Sequence, residues 1–341
     1  MRAAIYGAGS MGTILGAYIT KNGGRIDLVN HNFAHVRALK EKGAHVVGSV
    51  DFIQPVKAIT PLEMAGTYNI IILLTKQMEN EKIVRFLVPY LTPDGVIVTL
   101  QNGIPELLIS HIVGADHVLG CTVAWGATLL EPGVSELTSD PDSLTFQLGS
   151  LSPFPNRHLQ DVKELLQLMG PVVIEDNFIG TRWTKLLINA SFSGLSTALG
   201  CTFGEIIMPK DTRRVTLALI KECIEVARKG NIRFEPVQGK DVITLLDFNN
   251  PIKKSFAFAI LPLTMRKHMR LKASMLQDIE KGKRCEIDAI NGVVCSSGKE
   301  LGVPTPLNDM IVEVIHRIER GELKPCRDNL QFFLPILKKQ Q

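Results

Sequence analysis

The chain has 341 residues, 45% of them hydrophobic and 21% charged. That apolar content excludes a disordered chain, and the length exceeds the roughly 250–300 residues that one hydrophobic core sustains, so two domains are expected. Thirty-eight Lys and Arg stand against 34 Asp and Glu, a net charge of +4 with no basic block; this argues against a nucleic-acid binder and suits a protein that handles small anions.

In chain order, residues 3–6 read as a strand and 10–21 as the helix that follows; 26–29 and 33–42 repeat the pair. The continuous apolar runs 70–74 and 96–100 are typical of strands buried on both faces. Such β-α-β alternation predicts a parallel sheet with helices on both sides. From 118 to 148, strand-like runs punctuated by Gly133 and Asp140-Pro141 predict an antiparallel extension of that sheet. A helix near 156–169 and a strand near 172–175 close this half. After Asp176 the strand signals nearly vanish. Residues 181–199, 215–229, 272–283, 286–301 and 307–320 read as helices, and Gly230, Gly302 and Gly321 sit at C-terminal stops. The expected fold class is α/β: a mostly parallel sheet over 1–176 and an all-helical domain over 177–341, with the boundary at 176–180.

Six cysteines are scattered without a C-x-x-C pair, the usage of reduced thiols in an intracellular chain. No run reaches the roughly 18 apolar residues of a bilayer span. Residues 1–20 are apolar with Arg2 near the start, as in a signal peptide, but four glycines break the run. A cytoplasmic protein with no membrane partner is expected.

Those glycines have a better use. Gly7-Ala8-Gly9-Ser10-Met11-Gly12 follows an apolar strand and opens a helix, the context that makes G-x-G-x-x-G a dinucleotide signal. Gly7 permits the tight turn, Gly9 lets a pyrophosphate approach the backbone, and Gly12 lets the helix pack closely on the strand. The N–H groups of the helix start then face the phosphates. The second strand ends in Asn30-His31-Asn32, with no Asp or Glu to hold a ribose 2′-hydroxyl. Asn30 and Asn32 can donate to a 2′-phosphate and Arg37 or Lys40 can lend charge, so NADP is favoured over NAD. His31 and His35 stand four apart without a third ligand, so a surface pair is expected and no metal site.

Lys76 and Gln101-Asn102 directly follow the two buried runs, at the carboxyl edge of the sheet where ligands bind in open α/β folds. Amides there can donate to a carboxylate or a ribose, and Asn102-Gly103 reads equally as a simple turn. In the second half, Lys185, Asn189 and Ser193 share one face of a helix otherwise lined by apolar residues. A partly desolvated lysine has a lowered pKa and is a usable general acid near neutral pH; the alternative is a lysine that snorkels its head into water. Ser274 and Asp278 share a face of a later helix, and Glu286, Asp288 and Asn291 open another; periodicity alone does not separate a site from charges that satisfy the helix dipole.

Taken together, GAGSMG, LLTK ending at Lys76, QNG from Gln101, W-x-K-L-x-x-N over 183–189, SMLQDIEKGKRCEIDAING over 274–292 and GVPTP over 302–306 resemble the ketopantoate reductase family, in its order and over nearly the whole chain. The resemblance implies an N-terminal Rossmann domain and a C-terminal helical domain, with the active site in the cleft between them. It implies NADPH-dependent reduction of a 2-keto acid, ketopantoate, to the 2-hydroxy acid of pantothenate biosynthesis. The family's lysine matching Lys185 protonates the carbonyl oxygen, and the glutamate matching Glu286 positions substrate and lysine. Residues matching Lys76, Asn102, Asn189 and Ser274 lie around nicotinamide and substrate. One position departs: where Ser193 stands, the family often has a second asparagine that contacts the substrate. A reductase of another 2-keto acid is therefore the alternative; a non-catalytic NADP(H) sensor would need neither Lys185 nor Glu286. A homodimer is plausible from the symmetry habits of soluble enzymes.

Overall fold

The computed structural model describes residues 1–152, 156–236, 239 and 241–339. It separates into two compact units, one of Met1–Gln101 with Pro105–Phe178 and one of Asn102–Ile104 with Ile179–Gln341. The first unit opens with β1 (Ala3–Tyr6), α1 (Ser10–Lys21), β2 (Ile26–Val29) and α2 (Phe33–Lys42), where the apolar pattern places them. Three short strands that the pattern did not announce follow: β3 (Ala44–Gly48), β4 (Phe52–Gln54) and β5 (Lys57–Ile59). Next come β6 (Tyr68–Leu73), α3 (Asn80–Leu87), β7 (Leu91–Thr99), α4 (Glu106–Val113) and β8 (Val118–Val123). The unit ends with β9 (Ala127–Glu131), β10 (Val134–Leu137), β11 (Phe146–Gly149), α5 (Leu159–Gln167) and β12 (Val172–Ile174).

Among the described residues these strands form two sheets. The larger runs β12-β11-β8-β7-β6-β1-β2-β5. Every pairing in it is parallel except β8 with β11. The smaller runs β4-β3-β10-β9. The antiparallel extension expected over 118–148 is thus only half right: β8 and β11 extend the main sheet, whereas the hairpin around Gly133 leaves it and pairs β10 parallel to β3. Period-2 patterning marks a strand but does not name its neighbour.

Alternate residues of the central strands enter two separate cores. Ile5, Ile70, Ile72, Val96 and Val98 join α1, α2 and α5 on one face. Ala4, Ile71, Leu73 and Ile97 join α3 and α4 on the other. Burial on both faces is why these strands are written as continuous apolar runs.

The second unit is helical, with no strand after Ile174 among the described residues. It begins with α6 (Phe178–Ile188), which continues through a π-helical stretch, Asn189–Gly194, into α7 (Leu195–Leu199). Then come α8 (Phe203–Ile207), the long α9 (Lys210–Lys229), α10 (Val242–Leu246) and α11 (Pro251–Thr264). The last are α12 (Ser274–Glu280), α13 (Ile287–Leu301), α14 (Pro306–Glu319) and α15 (Leu334–Lys339). Gly230 and Gly302 are C-caps, Gly302 with φ of 69°, and Gly321 turns with φ of 76°. The uniform helix expected over 181–199 is interrupted, and that expected over 272–283 shortens to α12. No described helix is long and apolar enough to cross a membrane.

Candidate functional site

In the first unit the candidate residues meet at one edge. β1 pairs Tyr6 with both Val29 of β2 and Leu73 of β6, and Leu73 pairs with Thr99 of β7. Parallel strands in this register end together, so the residues just beyond them, around Gly7, Asn30, Lys76 and Gln101, share the carboxyl edge. β1 lies between β2 and β6, so the chain's progress across the sheet reverses there, which is where open α/β sheets bind ligands.

The glycine turn is built for a backbone contact. Gly7 has φ of 96°, and a Cβ on it would stand 2.6 Å from the Thr75 nitrogen. A Cβ on Gly9 would meet nothing within 4 Å, so the turn is open on that side. Gly9 is the N-cap of α1; no side chain caps this helix and no acid lies in its first turn. The helical bonds start at Thr13, whose N–H donates to the Gly9 carbonyl at 2.9 Å. The N–H groups of Ser10, Met11 and Gly12 precede that first bond, and with the helix dipole they present a positive end. This open, uncapped start fits the phosphates of a dinucleotide.

Beyond β2 the polar side chains are engaged locally. Asn30 Oδ1 accepts the Asn32 N–H at 2.8 Å, and Asn32 Oδ1 caps α2 by accepting the His35 N–H at 3.2 Å. His31 and Arg37 are exposed. The expectation that Lys40 lends charge needs correction: its Nζ is 2.6 Å from Glu63 Oε1, and with the Thr60 N–H this lysine holds the Glu63 carboxyl down at about 2. The surface pair of His31 and His35 is also wrong in one half. His35 is buried, because α2 turns it onto α1 and the glycine turn. Among the described residues no three His, Cys, Asp or Glu side chains are grouped as metal ligands.

The acid that β2 does carry, Asp27, sits near its other end. Burial pushes its carboxyl up, but hydrogen bonds from Lys57, Tyr68 and Arg2 together outweigh that and hold it below the usual range. It is a structural tie. Lys76 is exposed and is the N-cap of a single turn, Gln77–Glu79. Gln101, in contrast, is buried, and its amide is used inside the unit. Nε2 donates to the Thr75 carbonyl and Asn80 Oδ1, each at 2.7 Å. Oε1 accepts from Asn80 Nδ2 and Thr99 Oγ1, each at 3.0 Å. Its amide locks the exits of β6 and β7 together, so the expectation that it donates to a ligand gives way to a positional part.

In the second unit the candidates gather around the π-helical stretch. Of the two cations on α6, Arg182 is 1% exposed and Lys185 is partly exposed, as are Ile188 and Asn189. Their spacing of three and four makes one open stripe, and the residues from Gly180 to Thr184 are all buried. At 3.6 residues per turn, residue i+4 overshoots a full turn by about 40°. The i→i+5 bonds of a π-helix put more residues in each turn, so from Asn189 to Ser193 the drift runs back toward the line of Lys185. Ser193 itself is buried. The stretch packs against both α12, whose first residue is the exposed Ser274, and α13, whose N-cap is the buried Glu286. Asp288 pairs with His316 at 3.0 Å.

Sequence reasoning marked Asn291 without finding its task. Its Nδ2 donates to the Ala190 carbonyl at 3.0 Å and to Asn308 Oδ1 at 2.9 Å. Asn308 Nδ2 donates to Glu222 Oε2 at 2.8 Å, and the buried Glu222 also accepts the N–H groups of Leu307 and Asn308 at the start of α14. A Cβ on Gly194 would lie 2.6 Å from Asn291 Oδ1. Asn291 thus holds an interior carbonyl of the π stretch, and Gly194 makes room for it. The glycine three residues after Ser191, facing an asparagine a hundred residues on, left no signal in a single sequence.

Two family models, described as ketopantoate reductase PanE/ApbA and its C-terminal part, match residues 3–150 and 177–319. The chain belongs to the ketopantoate reductase family. Similar relatives include the 2-dehydropantoate 2-reductase of Streptococcus pyogenes serotype M3, 26% identical over 94% of this chain and 98% of the relative. That of Pyrococcus horikoshii is 26% identical over 91% and 95%. Among solved structures, a complex of D-mandelate dehydrogenase with NADH has a TM-score of 0.76 at 25% identity, covering 94% of this chain and 99% of that one. A ketopantoate reductase of this family from Ralstonia eutropha JMP134 shares the fold, with a TM-score of 0.80 at 23% identity over 94% and 99%.

Proposed function

We propose that this member of the ketopantoate reductase family reduces 2-dehydropantoate to pantoate with NADPH. The observation that carries the reading is the open face of α6: a lysine, partly withdrawn from water, beside an asparagine on a helix whose other cation is buried. When bound, the nicotinamide supplies a hydride to the 2-keto carbon. Lys185 gives its proton to the carbonyl oxygen, and its charge stabilises the oxyanion that develops there. Glu286, fixed at the start of α13, orients the substrate and that ammonium. Asn102, Asn189, Ser193 and Ser274 hold the polar groups of the substrate.

The open start of α1 supports a dinucleotide, with Gly7 to Gly12 at the phosphates and Lys76 and Asn102 toward the nicotinamide. Absence of an acid after β2, with the exposed Arg37 nearby, favours NADPH over NADH. A second reading, another 2-keto acid, is favoured by one observation: a buried serine stands at 193, shorter than the asparagine frequent in the family, and the D-mandelate dehydrogenase shows that this fold serves other substrates. The test is steady-state kinetics on a panel of 2-keto acids with each cofactor. The highest kcat/KM for ketopantoate with NADPH is expected. A better substrate elsewhere in the panel overturns the substrate assignment, and no turnover with any 2-keto acid overturns the activity.

A further inference from the structure

Along the buried face of α2, His35 stands among Val36 and Leu39 yet is only 1% exposed. Three groups meet its ring. Nδ1 accepts the N–H of Gly133 at 3.0 Å, a contact 98 residues apart in sequence. Nε2 lies 3.0 Å from the Ala8 carbonyl oxygen and 3.1 Å from Thr13 Oγ1. Since Nδ1 faces a donor, the ring's one proton belongs on Nε2, from which it is donated to Ala8. Thr13 Oγ1 donates to the same carbonyl at 3.3 Å. On its other side Ala8 gives its N–H to the Val29 carbonyl at 3.0 Å. The peptide groups on both sides of Ala8 are therefore fixed, and the N–H groups of Ser10 to Gly12 that follow take their direction from them. The Gly133 turn between β9 and β10 is pressed onto α2: a Cβ there would stand 3.0 Å from Ala38 Cβ.

We infer that His35, as the neutral Nε2–H tautomer, is a positioning residue for the dinucleotide phosphates: it sets the glycine turn through Ala8, and the Gly133 N–H on Nδ1 fixes the tautomer that does so. The part about phosphates rests on the proposed cofactor. His35 acts through the backbone of the turn. The ring does two things at once, and two amide side chains separate them. Glutamine places a donor near Nε2 and keeps the Ala8 bond. Asparagine places an acceptor near Nδ1, keeps the Gly133 bond and loses Ala8.

The experiment compares wild type, His35→Gln, His35→Asn and the milder Thr13→Val. Two readouts are used: KM for NADPH against kcat, and amide hydrogen exchange over residues 8–12 in the cofactor-free protein. His35→Asn is expected to raise KM about ten-fold, the scale of one lost hydrogen bond, with kcat within about two-fold and faster exchange in the turn. His35→Gln stays near wild type, and Thr13→Val shifts both readouts in the direction of His35→Asn but less. Equal behaviour of the Gln and Asn variants, or wild-type exchange in both His35→Asn and Thr13→Val, overturns the inference. Should His35→Asn fail to fold, Thr13→Val against His35→Gln decides it. Wild-type protein that turns over no substrate defeats the proposed function alone, because the exchange over residues 8–12 still tests the tie between His35 and the turn.

Discussion

Lys185 and Arg182 lie three residues apart on one helix and differ in burial as well as in acidity: the arginine is enclosed, the lysine partly exposed. A proton donor must reach its acceptor, so Lys185→Ala is expected to lower kcat by about 10² or more while leaving the thermal midpoint in place. Lys185→Arg tests what the charge alone does. Its guanidinium does not deprotonate, so kinetics close to those of the alanine variant support proton transfer, whereas retained turnover points to charge alone. His35 supplies a prediction of a different sort. Burial lowers its pKa below 6.5, with the Ala8 bond opposing only in part. The unfolded chain then takes up the proton first as pH falls. Stability is fully present above about pH 6.5 and declines from there toward the folded pKa. His158 is lowered too, by burial and Arg157. Urea unfolding at pH 7.5 and 5.5 is expected to show wild type weakened at the lower pH and His35→Gln weakened less, with His158 contributing to what remains.

At the scale of elements, the π-helical stretch is where local and tertiary rules part. NASFSG holds no proline, and the 3.6 period runs on into α7. The extra residue per turn is held from outside, by Asn291 on the Ala190 carbonyl and by its backing from Asn308 and Glu222. Asn291→Ala leaves that carbonyl and Asn308 short of a partner, and a loss of about 1–3 kcal/mol of stability is expected from denaturant unfolding. A fall in kcat should accompany it, because Asn189 and Ser193 sit on the stretch. Gly194→Ala pushes a methyl into the Asn291 amide, and a loss of about 1–3 kcal/mol is the scale for overpacking. The neighbouring strands tell the same story. β1, β6 and the second half of β7 were legible because two-sided burial writes them as apolar runs, and β2 because Asp27 alone interrupts one; β3, β4 and β5 were not, being only partly buried.

For the whole molecule, the cofactor preference is the property most open to measurement. A ligand that binds only the folded chain stabilises it by about 2.7 kcal/mol at 100 times its dissociation constant. NADPH is expected to raise the thermal midpoint more than NADH at equal concentration; an equal or reversed shift removes the argument from Asn30, Asn32 and Arg37. The candidate site was legible in uneven degree. The glycine turn carries its own geometry in its sequence, since the φ of 96° at position 7 and the close approach of Thr75 there admit only glycine. Gln101 and Lys40 looked equally available and are not: one is bound within the sheet edge, the other to Glu63. Hydrophobic period, helix stops and the order of the family's motifs are local properties of the chain, and from them the α/β half, the helical half and the family followed. Which polar groups are already satisfied depends on partners tens of residues away, as between His35 and Gly133 or Asn291 and Ala190, and those pairings exist only once the chain has folded.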